Sequence, residues 1–333
     1  FEAPTNVTSV TYMDFLHSGA WPLVISGGFL VGFLVGLTGV GAGSLMTPFL
    51  ISGIGISPVL AVGTDLLFAS ITKASAAWRH HALGNVDWPV VRWMATGSLP
   101  GAAVILSWIY FAEPDIHVLA VIIRKVLASA LVVSALCVAA YPALKRYAMH
   151  APDAHAPARV HKGPTLLLGF VLGVLVALTS VGAGAIGVVA LTALYHSLSA
   201  RRLIGTDIVH AIPLTFLAGA SHFGMGNVDL PILGLLLVGS VPGIALGSRI
   251  TGMVPDWVLR VTLALVLFWA AYALITPLHH EQFCPPESGE HRDPLSGTQR
   301  TKRRRPFRAC GTSYAGSRVS LAFARFAQDD SVR

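Results

Sequence analysis

The sequence predicts an all-α polytopic membrane protein built from two tandem homologous halves, with eight to ten transmembrane segments. Three observations predict it. The 333 residues are 54% hydrophobic and only 12% charged, with a mean hydropathy of +0.67, whereas soluble domains carry about 25% charged residues. Apolar stretches long enough for about 30 Å of hydrocarbon, roughly 20 residues each, recur along the chain. The same polar and glycine signature then occurs twice. This composition argues against a disordered chain, a nucleic-acid binder and most soluble enzymes.

The net charge of +7 is unevenly placed. Residues 282–333 carry ten Lys/Arg and five acids, so this tail is +5, and the first 281 residues are only +2. Three cysteines, Cys137, Cys284 and Cys310, have neither disulfide-framework nor zinc spacing. No secretory signal is evident, and Met13 is a plausible natural start, which makes residues 1–12 an expected upstream extension.

In chain order, residues 1–21 read as an N-terminal extension and 22–142 as the first transmembrane repeat. Its spans fall at about 22–38, 59–79, 88–110 and 117–142, with a short apolar stretch at 44–56. Residues 143–163, with Lys145, Arg146, Arg159, Lys162, His and Pro, form a basic linker expected on the cytoplasmic side. The second repeat covers 164–278, with spans at about 164–180, 203–222, 231–251 and 256–278 and a short stretch at 185–197. Residues 279–333 read either as a disordered basic tail or as a non-native extension of the reading frame.

The short stretches of about 13 residues reach only about 20 Å as helices and follow glycine-rich breaks. Counted as spans, they give five crossings per half and inverted halves. Arg201, Arg202 and Arg249 then share the linker's side and the tail lies opposite. Counted as re-entrant, they give four crossings per half and parallel halves. Charge alone leaves both arrangements open.

Residues 28–43, GFLVGFLVGLTGVGAG, and 169–184, GFVLGVLVALTSVGAG, are identical at 11 of 16 positions. Gly63-Thr64-Asp65 returns as Gly205-Thr206-Asp207. His80…Gly84-Asn85-Val86-Asp87 returns as His222…Gly226-Asn227-Val228-Asp229, and Pro100-Gly101 returns as Pro242-Gly243. Chance similarity between apolar helices does not hold register through polar positions, so the halves read as a duplication. Duplicated halves with interrupted helices are the pattern of many secondary transporters, whose substrate site lies near the midplane.

The candidate chemistry lies at the breaks and in the few intramembrane polar residues. Thr38, Gly39, Gly41 and Gly43, and in the second half Thr179, Ser180, Gly182 and Gly184, mark positions where a membrane helix unwinds. The helix that restarts points its N–H groups into the cavity and favours a small oxyanion. Gly28, Gly32 and Gly36 instead suggest close helix packing. Asp65 and Asp207 are candidates either for proton coupling or for helix capping. Lys73 lines an anion path or snorkels to the interface. His210, three residues after Asp207, forms a proton relay with it or a buried hydrogen bond. No His/Cys/carboxylate grouping has metal-ligand spacing, no catalytic constellation is placed, and no cofactor is expected.

Together these motifs resemble the sulfite exporter TauE/SafE family, also called the toluenesulfonate uptake permease family, over about residues 22–278. Asp65 and Asp207 stand where the family pattern often has a neutral residue. The resemblance implies a bacterial inner-membrane secondary carrier of small sulfur-containing anions such as sulfite or organosulfonates. Its expected partners are that anion and the lipid bilayer, not nucleic acid. On this view the glycine breaks, Thr38, Thr64, Thr179, Ser180, Thr206 and Lys73 bind the anion. Asp65, Asp207 and His210 carry a coupling proton. The rival classes are a cation or metal carrier or channel, a membrane-embedded enzyme using Asp207 and His210, and a non-transporting scaffold.

Overall fold

A computed structural model describes residues 21–38, 43–148, 160–195, 198–250 and 255–276. The expected terminal extension, most of the linker, the first glycine break at 39–42 and the basic tail lie outside the described residues. No strand occurs among the described residues.

The first half contributes α1 (Trp21–Thr38), the short α2 (Gly43–Pro48) with a π-helical turn (Phe49–Ile54), α3 (Pro58–Ala82), α4 (Trp88–Ala112) and α5 (Ile116–Ala148). The second contributes α6 (Lys162–Thr179), α7 (Ala185–Leu194), α8 (Ala200–Gly224), α9 (Leu230–Ile250) and α10 (Asp256–Ile275). Seven of the described helices are long and apolar enough to cross a bilayer, and three shorter apolar helices accompany them. Helix α5 continues to Ala148, six residues into the segment expected to be linker. Nothing in Ala143-Leu144-Lys145-Arg146 opposes a helix once the chain has left the hydrocarbon.

Local chemistry sets the boundaries in both halves alike. Gly84 and Gly226 take positive φ, 67° and 76°, and turn the chain after α3 and α8. Asp87 and Asp229 then cap α4 and α9, accepting from the N–H of Val90 (3.2 Å) and Ile232 (2.9 Å). Pro89 and Pro231 follow in the first helical turns, where their missing N–H costs nothing.

The helices pair across the halves. Helix α1 packs on α9, α4 on α6, α3 on α8 and α5 on α10. Glycines make the closest pairs. A Cβ added to Gly28 would stand 2.8 Å from the Leu236 carbonyl oxygen, and one on Gly32 would stand 2.6 Å from that of Ser240. Gly169 and Gly173 meet the backbone of Met94 and Ser98 in the same way. Lipid tails are as apolar as leucine, so such close approach, rather than a hydrophobic drive, holds membrane helices together.

The registers give helix directions. Residue numbers rise together along α1 and α9 and along α4 and α6, so these pairs are parallel. Along α3 and α8 they run in opposite senses. Gly63 meets His222 and Asn227, Gly219 meets Leu67, and Gly205 meets His80 and Asn85. The Arg260 guanidinium, early in α10, lies 4.1 Å over the Tyr141 ring, late in α5, so this pair is also antiparallel. Helices α3 and α8 point in opposite directions only if the chain between them crosses an even number of times, so α7 crosses along with α4, α5 and α6. Helix α1 runs parallel to α9, and α9 runs opposite to α8, so α1 and α3 point the same way and α2 crosses between them; the halves are inverted.

Candidate functional site

The antiparallel pair α3 and α8 runs through the interior and carries the ionisable residues. Asp65 and Lys73 sit on α3, Asp207 and His210 on α8, with relative exposures of 0%, 5%, 1% and 0%. The α3–α8 register places Asp65 toward the face opposite the linker and Asp207 toward the linker face. Lys73 lies eight residues, about 12 Å of helix rise, beyond Asp65. It stands between the carboxylates and interacts electrostatically with both.

Each carboxylate is held by a broken segment. The Thr47 hydroxyl of α2 donates to Asp65 Oδ2, and Thr47 Oγ1 lies 3.5 Å from the Thr179 carbonyl oxygen. Ser180 stands beside Asp65. On α8, the Asp207 carboxylate lies against the first turn of α7, within 2.1 Å of where a Cβ on Gly187 would stand. Gly187 permits this approach, because a Cβ there would overlap Asp207 Oδ1. The α7 N-terminus, a ready-made anion site, is thus occupied by the protein's own carboxylate.

The second break is built from backbone conformations that favour glycine. Gly182 and Gly184 have φ of 135° and 128°, and Ser180 itself has φ of 60°. The Val181 N–H donates to Thr179 Oγ1 (3.2 Å), and that hydroxyl donates to the Leu175 carbonyl (2.7 Å). Thr179 therefore holds the break open with its only hydroxyl proton. Among the described residues, Ser180 Oγ, Asp65 Oδ1, Lys73 Nζ and Asp207 Oδ1 are buried without a hydrogen-bond partner. Such groups are costly in an apolar interior. Helix α1 ends at Thr38 and α2 begins at Gly43, and Gly39 and Gly41 lie outside the described residues.

His210 Nε2 is 2.8 Å from Ser98 Oγ on α4, and the ring lies within electrostatic reach of Lys73. Its partner is thus Ser98 on α4 and not Asp207, which its spacing had suggested for a relay. His222 donates from Nε2 to the Ala177 carbonyl (3.2 Å).

Thr64 and Thr206 are not brought into this cluster. Each lies under the turn of the opposite half. The Asp229 N–H donates to Thr64 Oγ1 (3.0 Å), and the Asp87 N–H donates to Thr206 Oγ1 (2.9 Å). One tether is stronger than the other: Arg202 pairs with Asp87 at 3.2 Å, and the position equivalent to Arg202 in the first half is Leu60. Asp229 lacks that cation, and burial pushes its carboxyl above the ordinary carboxylate range.

Sequence reasoning missed Thr47 and Ser98. Each is a polar residue within an apolar run, and neither belongs to the quoted repeated motifs as a site residue. No group of three metal-ligating side chains occurs among the described residues. An apolar crevice of about 270 Å³ between α5 and α6, lined by Phe170, Val174 and Leu178 among others, contains none of the site residues.

The family model for the sulfite exporter TauE/SafE matches residues 24–274. A probable membrane transporter protein of Bacillus subtilis, YjnA, is 33% identical over 252 residues, covering 76% of this chain and 98% of that protein. A second from the same organism, YdhB, is 26% identical and covers 72% of this chain and 93% of its own length. A probable membrane transporter protein of Haemophilus influenzae is 27% identical, covering 73% and 94%. No solved structure matches the chain significantly. The match spans both halves, and on it the chain belongs to the sulfite exporter TauE/SafE family, as a multi-pass transporter of the cell membrane.

Proposed function

We propose that this transporter carries small sulfur-containing anions, such as sulfite or organosulfonates, by alternating access coupled to protons. One observation carries the reading: a carboxylate of the chain itself, Asp207, is seated against the first turn of α7 at Gly187, beside a glycine-built break. A helix head that accommodates a carboxylate suits an oxyanion of similar size. Substrate and Asp207 compete for it, because two anions in one buried site repel. Protonation of Asp207 releases the site to the substrate.

The remaining roles follow from placement. Lys73 supplies the positive charge between the two carboxylates. Ser180 offers a free hydroxyl among the described residues, and Gly182 and Gly184 let the backbone approach the anion. Thr38, Gly39, Gly41 and Gly43 take the matching part at the first break. Thr179 shapes the second break. Thr64 and Thr206 act on the site indirectly, by tethering the turns of the opposite half. Asp65 and Asp207 carry the coupling proton, and His210 supports Lys73 from the α8 side.

Flux into proteoliposomes tests this. Sulfite, thiosulfate and taurine-like sulfonates are expected to move when a pH gradient is imposed. Asp65→Asn and Asp207→Asn are each expected to abolish the response to that gradient. Absence of flux for every sulfur anion, or proton-coupled flux in both variants, overturns the reading.

A further inference from the structure

We propose that the site takes a singly charged anion and moves it together with one proton, with no net charge crossing the membrane. This rests on the anion-carrier reading above and adds the charge class of the substrate and the stoichiometry.

The argument is an inventory of buried charge. Among the described residues, Asp65, Lys73, Asp207 and His210 are the ionisable groups at the centre, and the charges acting on the two carboxylates and Lys73 are one another's. Helix α2, the π-helical turn, α7 and the four residues of the first break contain no ionisable side chain. Asp87 is neutralised by Arg202. His222 donates to a carbonyl from Nε2. His210 is bonded to Ser98 and lies beside Lys73, where a second positive charge would be repelled. His210 therefore counts as uncharged.

Net charge in the hydrocarbon core is unfavourable. With Lys73 cationic, the empty site is neutral when one carboxyl is protonated and the other ionised. With a monoanion bound, it is neutral when both carboxyls are protonated. The two states differ by one anion and one proton, and the proton sits on a carboxyl oxygen. A dianion has no neutral state here: both carboxyls are then protonated and one negative charge remains. The site thus suits hydrogensulfite or a sulfonate and disfavours sulfate. Lys73 fixes this selection. Its counterpart in the second half is Thr215, so this cation is not duplicated.

The test uses the full chain in proteoliposomes, with methanesulfonate as monoanion and sulfate as dianion. Methanesulfonate is expected to accumulate with an inside-alkaline pH gradient, one proton entering per anion. Its accumulation should ignore an imposed potential, whereas net movement of one charge would change it about 50-fold per 100 mV. Sulfate should move at least about tenfold more slowly, a difference of about 1.4 kcal/mol. Lys73→Arg should keep electroneutral uptake and Lys73→Met should lose it. Methanesulfonate uptake that follows the potential, or sulfate moving as fast, overturns this proposal alone. Failure of every sulfur anion to move removes the anion-carrier reading with it. The potential measurement needs no variant, so a Lys73→Met chain that fails to fold leaves the proposal testable.

Discussion

Ser180 shows what the second break costs and what it provides. Its φ of 60° lies in the left-handed region, which costs a residue with a Cβ about 1 kcal/mol. The equivalent residue of the first half is Gly39, the residue that region favours. Ser180→Gly is therefore expected to raise thermal stability by up to about 1 kcal/mol while anion flux falls, because the hydroxyl beside Asp65 is gone. A melting curve and a flux assay on the same preparation check both signs. Unchanged flux with raised stability would make Ser180 only a strained cap. The same residue shows how legible the site was. Repetition in the sequence marked the breaks and the two aspartates, because duplicated polar residues stand out in apolar helices. It could not mark Thr47, whose α2 hydroxyl holds Asp65, and although Ser98 repeats as Ser240, repetition could not show that Ser98 meets His210. Those contacts join residues 18 and 112 positions apart, and only helix packing brings them together.

Among the elements, the two turns that follow α3 and α8 are built alike but held differently. Each ends in a capping aspartate whose N–H donates to a threonine of the opposite half. Asp87 also meets Arg202, whereas Asp229 is partly buried with its carboxyl pushed up by desolvation. The sign for Asp229 follows from linkage. An acid whose folded pKa exceeds its unfolded value is taken up protonated on folding. Its destabilising effect is absent below the unfolded pKa and grows as pH rises through the folded one. Asp229→Asn keeps an N-cap and removes the charge, so stability at neutral pH should hold or rise, with less loss toward high pH. Asp87→Asn keeps its cap too but strands Arg202, so stability should fall by about 1–3 kcal/mol. Melting both variants between pH 5 and 9 separates them. Equal losses would mean the ion pair contributes nothing to the tether. The repeated Asn-Val-Asp turns were legible in the sequence as a duplication, and the structure makes each of their aspartates a cap. The sequence could not foresee that Thr64 and Thr206 serve the opposite half, since their neighbours Asp65 and Asp207 drew them to the site.

At the scale of the whole molecule, the inverted arrangement decides which side each loop meets. The helix ends on the linker face carry Arg92, Lys145, Arg146, Lys162, Arg201, Arg202, Arg249 and Arg260. Those on the other face carry Glu113, Asp115 and Asp229. By the positive-inside rule the linker face is cytoplasmic. Charge in the sequence alone was compatible with parallel halves, because it fixes a side for each loop only after the number of crossings is known. The register of α3 against α8 supplies that number. The turn after α3 then faces the cytoplasm and the turn after α8 faces outward, whereas parallel halves would put both on one side. In a chain with Cys137, Cys284 and Cys310 replaced by Ser, Leu83→Cys and Gly224→Cys are exposed probes of these turns, and Gly224 has open space for a side chain. A membrane-impermeant thiol reagent applied to intact cells is expected to label Gly224→Cys and to reach Leu83→Cys only after the membrane is opened. Labelling of both from one side would overturn the inverted topology. The opposed placement of Asp65 and Asp207 toward the two faces, on which proton delivery from alternate sides depends, would fall with it.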